Sequence, residues 1–147
     1  DRALLNELQS NNLQTHAALA EKIALSPSAI RRRLQALRAA GLIAADVSLL
    51  DPARLPGLIE VQVLVTFERE TPAIVAAFKK QMRADKQVVQ CFSISGHFDF
   101  SLLVLASSPE AYEQWGQRVL MANPHIRRYD SFLVYSRVKF TTRLPLD

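Results

Sequence analysis

The sequence predicts an α+β chain in two parts, an N-terminal helical domain joined to a C-terminal βαββαβ domain. Up to about Gly41 the apolar residues recur at helical spacing, and beyond it they alternate, so the hydrophobic period changes partway along the chain. Between the two regimes lies a turn-rich stretch with Asp51, Pro52 and Pro56, which reads as a linker. The expected parts are residues 1–50, a linker over 51–57 and residues 58–147. A length of 147 residues suits two small domains, and a hydrophobic fraction of 49% is ample for their cores.

Leu4, Leu5 and Leu8 predict a first helix opened by Asp1, and Leu19 with Ile23 predicts a second opened by Thr15 as N-cap. Asn11 and Asn12 mark the break between them. A third helix is expected from Ser26 to Ala40. Ser26 caps it, Pro27 sits at the first position, where a missing N–H costs nothing, and Gly41 stops it. A short extended segment from Leu42 to Leu50 leads to the linker.

In the second part Ile59, Val61, Val63, Val65 and Phe67 alternate with Glu60, Gln62, Leu64, Thr66 and Glu68, the period-2 signature of a strand. Thr71-Pro72 opens a helix carrying Ile74, Phe78 and Met82. Strands are expected over Val88–Ser95 and Phe98–Ala106, joined at Gly96-His97. Ser107 or Ser108 with Pro109 starts a helix bearing Tyr112, Trp115 and Val119, which ends by Pro124, and a last strand is expected over roughly Tyr129 to Phe140. The order strand, helix, strand, strand, helix, strand is the ferredoxin-like arrangement.

Composition narrows the function. No run of about 18 apolar residues occurs, and no charged start precedes an apolar core and cleavage site, so membrane and secretory readings are set aside and the cytoplasm is expected. A single cysteine, Cys91, lies in an apolar alternating stretch and reads as a small hydrophobe. His16, His97 and His125 are scattered without metal-ligand spacing, and no Gly-x-Ser-x-Gly or phosphate-loop pattern exists. Four glycines make no nucleotide cradle, so neither an enzyme, a cofactor nor a metal is expected.

The third helix carries the main functional signal. Ile30, Leu34 and Leu37 fall on one stripe, while Ser28, Arg31, Arg32, Gln35 and Arg38 spread over the opposite side. Between Pro27 and Ala40 stand Arg31, Arg32, Arg33 and Arg38 with no acid, so this segment alone carries +4, equal to the net charge of the whole chain. Charge runs are usually solvated faces. Here, however, a capped helix and the tight turn Ala24-Leu25 precede the segment at helix-turn-helix spacing, which points to double-stranded DNA as partner. An arginine fork takes guanine O6 and N7 or grips a phosphate. The N-terminal part of a reading helix enters the groove, so Ser26, Ser28, Arg31, Arg32 and Gln35 are the candidates there, with Arg38 expected on phosphate and Arg33 within the protein.

A four-stranded sheet with two helices has only one face covered. Leu64 with Val65, Leu102 with Leu103 and Val104 with Leu105 are neighbours that must point to opposite sides, so the uncovered face is apolar and a homodimer through it is expected. The turn Gly96-His97-Phe98-Asp99 offers backbone N–H groups for a carboxylate and an acid for an ammonium, though such hairpins also occur in proteins that bind nothing.

Beyond these readings the chain resembles, over essentially its full length, the Lrp/AsnC (leucine-responsive/asparagine-synthase regulator) family of prokaryotic transcription factors. The segments that carry the resemblance are Asp1-Arg2-Ala3-Leu4-Leu5, Leu19-Ala20 through Leu25-Ser26-Pro27, and Arg33-Leu34 through Leu37 to Gly41-Leu42-Ile43. In the second half they are Ser95-Gly96-His97-Phe98-Asp99-Phe100 and Val138-Lys139-Phe140-Thr141-Thr142-Arg143-Leu144-Pro145-Leu146. The resemblance implies a winged-type helix-turn-helix, a ferredoxin-like amino-acid-sensing domain, dimers assembling into larger rings, commonly octamers, and a small amino acid as effector. It places the effector between dimers, against Gly96, His97, Phe98 and Asp99 of one subunit and the strand around Phe132, Leu133 and Val134. Two positions depart from the family's habit: Ala24 stands in the inter-helix turn where glycine is usual, and His97 where an acid is frequent. An architectural DNA binder without effector response is the competing reading. The family's architecture is also shared by sirohaem decarboxylases, whose histidine-rich pocket His97 and His125 do not supply.

Overall fold

In the computed structural model, which describes residues 1–146, the N-terminal unit is built from α1 (Arg2–Ser10), α2 (His16–Lys22) and α3 (Pro27–Ala39). Helices this short are marginal alone, since below roughly 12–15 residues nucleation outweighs propagation. Shared burial holds them. Leu4, Leu19, Ile30, Leu34 and Leu37 form one core, flanked by Leu5, Leu8, Ile23, Leu25 and Ile43. Thr15 Oγ1 accepts from the Ala18 N–H at 3.1 Å and Ser26 Oγ from the Ala29 N–H at 3.2 Å, the capping bonds their positions predict. Asp1 departs from expectation. It precedes α1 but makes no side-chain cap, because its carboxylate accepts from Arg33 Nη1 at 3.0 Å.

The end of α3 is a Schellman motif. Gly41, at φ +74°, donates to the Arg38 carbonyl at 3.0 Å and Leu42 donates to the Leu37 carbonyl at 3.0 Å. In the turn before α3, Ala24 carries none of the backbone cost a glycine position would impose, because no described non-glycine residue has positive φ.

The other unit opens with a 3₁₀ turn at Pro52–Arg54, after which come β1 (Ile59–Phe67), α4 (Pro72–Ala84), β2 (Val88–Ser93), β3 (Phe100–Ala106), α5 (Pro109–Gly116) and β4 (Ile126–Leu133). A π-helical turn, Gln117–Met121, prolongs α5. Strand order is β2-β3-β1-β4 with antiparallel neighbours, the topology that makes the βαββαβ order ferredoxin-like. Thr71 caps α4 and Ser108, rather than Ser107, caps α5.

Both helices lie on the face that buries Val61, Val63, Val65 and Phe67 of β1 with Phe100, Leu102 and Val104 of β3. Phe67, Phe78 and Phe100 pack with ring centroids 4.8–5.7 Å apart. Trp115 is fully buried, and its Nε1–H donates to Asp85 Oδ2 at 2.7 Å, so no polar group is stranded in that core. The opposite sheet face holds Leu64, Leu103, Leu105 and Phe132 together with Glu60, Gln62, Ser101 and Asp130, in the register Gln62 to Leu103 on one side and Gln62 to Phe132 on the other.

The last strand is shorter than the expected Tyr129–Phe140 span, and it begins earlier, at Ile126. Its partner explains this. Leu133 pairs with Val61, the Val134 N–H donates to the Glu60 carbonyl at 2.9 Å, and β1 starts at Ile59, so no partner remains for a strand running past about Tyr135. Residues 138–146 group with residues 1–50 in one compact unit, while Asp51–Arg137 form the sheet unit. The Gln9 side chain brackets this tail, donating to the Leu144 carbonyl at 3.0 Å and accepting from its N–H at 2.6 Å. No helix among the described residues is long and apolar enough to cross a membrane.

Candidate nucleic-acid interface and effector turn

Because Ile30, Leu34 and Leu37 face the core, the geometry of α3 leaves Ser28, Arg31, Arg32, Gln35 and Arg38 exposed. Arg31 and Arg32 form no ion pair and no side-chain hydrogen bond among the described residues. The other two arginines are engaged by acids from outside the helix, as expected for Arg33 but not for Arg38. Arg33 pairs with Asp1. Arg38, expected on phosphate, is gripped by Asp46: Nε reaches Oδ2 at 2.9 Å and Nη2 reaches Oδ1 at 3.3 Å. Their hydrogen bond holds the Asp46 carboxyl below its ordinary range and raises the Arg38 guanidinium above its own. Asp46 lies in the extended segment past Gly41, and only the reversal of the chain there carries it back to α3.

Ser26 is committed to the helix N-terminus through its bond to the Ala29 N–H, and its hydroxyl lies 3.1 Å from that of Ser28. What α3 presents to solvent without an acidic partner is therefore Arg31, Arg32 and Gln35, with Ser28 beside them bonded to Ser26. Such a set offers guanidinium forks and neutral hydrogen-bonding groups to base edges and phosphates.

At the other candidate site Gly96 adopts φ +121°, a conformation that favours glycine, and a Cβ there would meet nothing within 4 Å. Backbone strain alone would therefore oppose substitution. His97 is exposed and Phe98 half-buried. Asp99 is tied into the sheet: its N–H donates to the Val65 carbonyl at 2.8 Å and its Oδ2 accepts from the Phe67 N–H at 2.7 Å. Glu70 shares the neighbourhood. Its hydrogen bond with Asp99, together with burial, pushes the Glu70 carboxyl above its ordinary range. Sequence reasoning missed Glu70, since nothing in the spacing of residues 70 and 99 marks the two as neighbours.

Within one chain the two halves of the expected effector site lie apart. Asp99 bonds to Val65 and Val134 to Glu60, so the turn and the strand around Phe132, Leu133 and Val134 sit toward opposite ends of β1. Five residues of strand span roughly 16 Å. One protomer thus supplies either half but does not bring them together around a small molecule.

The comparisons with known proteins agree with this architecture. Residues 60–144 match the family model described as the Lrp/AsnC ligand binding domain, and residues 1–44 match a winged helix-turn-helix DNA-binding model. An uncharacterised helix-turn-helix transcriptional regulator of Sinorhizobium fredii is 39% identical over 147 residues, spanning 100% of this chain and 87% of its own length. The leucine-responsive regulatory protein of Escherichia coli K12 is 28% identical, over 99% of this chain and 89% of its own. Among solved structures, a transcriptional regulator of Neisseria meningitidis in complex with L-Met superposes with a TM-score of 0.90 at 28% identity, covering 99% of this chain and 94% of that one. An AsnC family transcriptional regulator from Agrobacterium tumefaciens superposes with a TM-score of 0.89 at 29% identity, with the same coverage of 99% and 94%. The chain belongs to the Lrp/AsnC family of transcriptional regulators.

Proposed function

We propose that this protein is a sequence-specific DNA-binding regulator whose DNA binding or assembly responds to a small amino acid. The observation that carries the reading is the pair Arg31 and Arg32, exposed without an acidic partner on the N-terminal half of a helix that follows a helix-turn-helix turn. Ser26, Ser28 and Gln35 complete the proposed DNA contacts, and Arg38 joins them on phosphate once it leaves Asp46. The apolar side chains Leu64, Leu103 and Phe132 on the open sheet face support a homodimer, which sets two such helices against two half-sites. Higher assembly, up to octamers, brings the turn of Gly96, His97, Phe98 and Asp99 against another subunit's Phe132, Leu133 and Val134. In this pocket backbone N–H groups at the turn hold the effector carboxylate, and Asp99 with Glu70 faces its ammonium. The L-Met complex of the Neisseria relative supports an amino acid as ligand.

The test is a binding titration on a selected operator and on random duplex at physiological salt. The expected ratio of affinities is at least about 10³. A ratio near unity returns the architectural reading, in which affinity is phosphate-driven. A thermal-shift screen of the twenty amino acids then identifies the effector by ligand-linked stabilisation.

A further inference from the structure

The sheet unit holds a second recess, a cavity of about 280 Å³ between α4 and β2, which reaches Ser93 and Phe100 at the base of the Gly96 turn. Lys79 and Arg83, one helical turn apart on α4, line it together with Cys91 and Ser93 of β2. Met82 and Phe100, each 2% exposed, form its apolar floor. No carboxylate lines the recess, and neither Lys79 nor Arg83 enters an ion pair among the described residues. Both cations act on the cavity wall: burial pushes the Cys91 thiol up, and the charges of Arg83 and Lys79 draw it back down.

This charge pattern is the reverse of that at the Gly96 turn. Two unneutralised cations over apolar side chains attract an acid that brings its own hydrophobic tail, and they repel an ammonium, which would find no acid to receive it. The volume lies just under the roughly 300–1,000 Å³ of small-molecule pockets, so the ligand is small. We propose that the recess between α4 and β2 binds a short-tailed carboxylate without an ammonium group, such as a short fatty acid or a branched 2-oxo acid. No residue of the turn 96–99 lines the recess, and the proposal does not depend on the proposed amino-acid pocket.

Cys91 is the protein's single cysteine, so its alkylation by iodoacetamide in the full chain reads occupancy directly. Millimolar hexanoate or 4-methyl-2-oxopentanoate is expected to slow alkylation at least threefold, and the more protective of the two distinguishes the fatty-acid from the 2-oxo-acid source. Leucine and inorganic phosphate at the same concentrations are expected to leave the rate unchanged. In a Lys79→Met, Arg83→Gln variant, which keeps the apolar stems, the ratio of rates with and without carboxylate should return to unity. The proposal is overturned if neither carboxylate protects, if leucine or phosphate protects equally well, or if the double variant retains protection.

Discussion

Arg38 and Asp46 hold each other in a two-bond fork on the surface of the helix-turn-helix unit. A guanidinium so paired contributes no phosphate contact until the pair opens. Asp46→Asn is therefore expected to strengthen DNA binding and to steepen the dependence of log K on log salt by about 0.9, the slope of one added phosphate contact. Fluorescence anisotropy at several salt concentrations measures it, and an unchanged slope would remove Arg38 from the interface. For Arg31 and Arg32, each alanine substitution is expected to cost about 1–3 kcal/mol on the preferred operator and much less on random duplex. Equal losses on both DNAs would assign these residues to phosphate.

Asp99 needs a gentler substitution than alanine. Its Oδ2 accepts from the Phe67 N–H, and stripping that acceptor from a part-buried donor costs about 1–3 kcal/mol of stability. Asp99→Asn keeps an oxygen for that N–H while removing the charge an ammonium requires. It is expected to abolish amino-acid-linked thermal stabilisation with DNA binding intact, and an unaltered effector titration would sink the assignment. Glu70 adds a pH signature. Its pKa in the folded chain lies above the ordinary carboxylate value, so ionisation is disfavoured by folding. Stability consequently falls as pH rises from the ordinary carboxylate range through the raised one. The midpoint of thermal unfolding of Glu70→Gln, followed over that window, should lack this decline.

At the scale of elements, local signals agree with the fold wherever a side chain finishes a helix end. Thr15, Ser26, Thr71 and Ser108 each accept a backbone N–H three residues on; the first three are legible from residue type and a following apolar pattern, whereas the sequence leaves Ser107 and Ser108 as alternatives. Ser26→Ala is expected to cost about 1 kcal/mol in urea unfolding, because α3 then opens on an unsatisfied N–H. Elements defined by a partner were harder to read. The run from Tyr129 to Phe140 alternates like a strand to its end, yet pairing stops at Leu133 because β1 offers no residues before Ile59. Strand length is a property of the ladder, and the alternating pattern records only one side of it.

For the whole molecule, the proposed assembly rests on the open sheet face. Leu103 sits at its centre, paired with Gln62 of β1 and Gln90 of β2. A charge at this position would be buried without a partner in any dimer that uses the face. Leu103→Glu is expected to shift the protein toward monomer in light scattering and to weaken operator binding by losing the second reading helix. A variant that stays oligomeric would move the interface elsewhere. The separation of the Gly96 turn from the strand at Phe132 along β1 makes the same point for the effector: amino-acid binding should weaken together with assembly in this variant.

The sequence by itself determined the α+β division, the third helix with its apolar stripe and basic face, most of the helix caps and the alternating strands, because each depends on residues within a few turns or pleats of one another. Tertiary structure alone decided which of the arginines remain free, that Glu70 stands beside Asp99, that Gln9 brackets Leu144, and that the chain from Val138 on leaves the sheet. These relations join residues far apart in the chain, and an acid's effect on a cation depends on distance through space, which local periodicity does not encode.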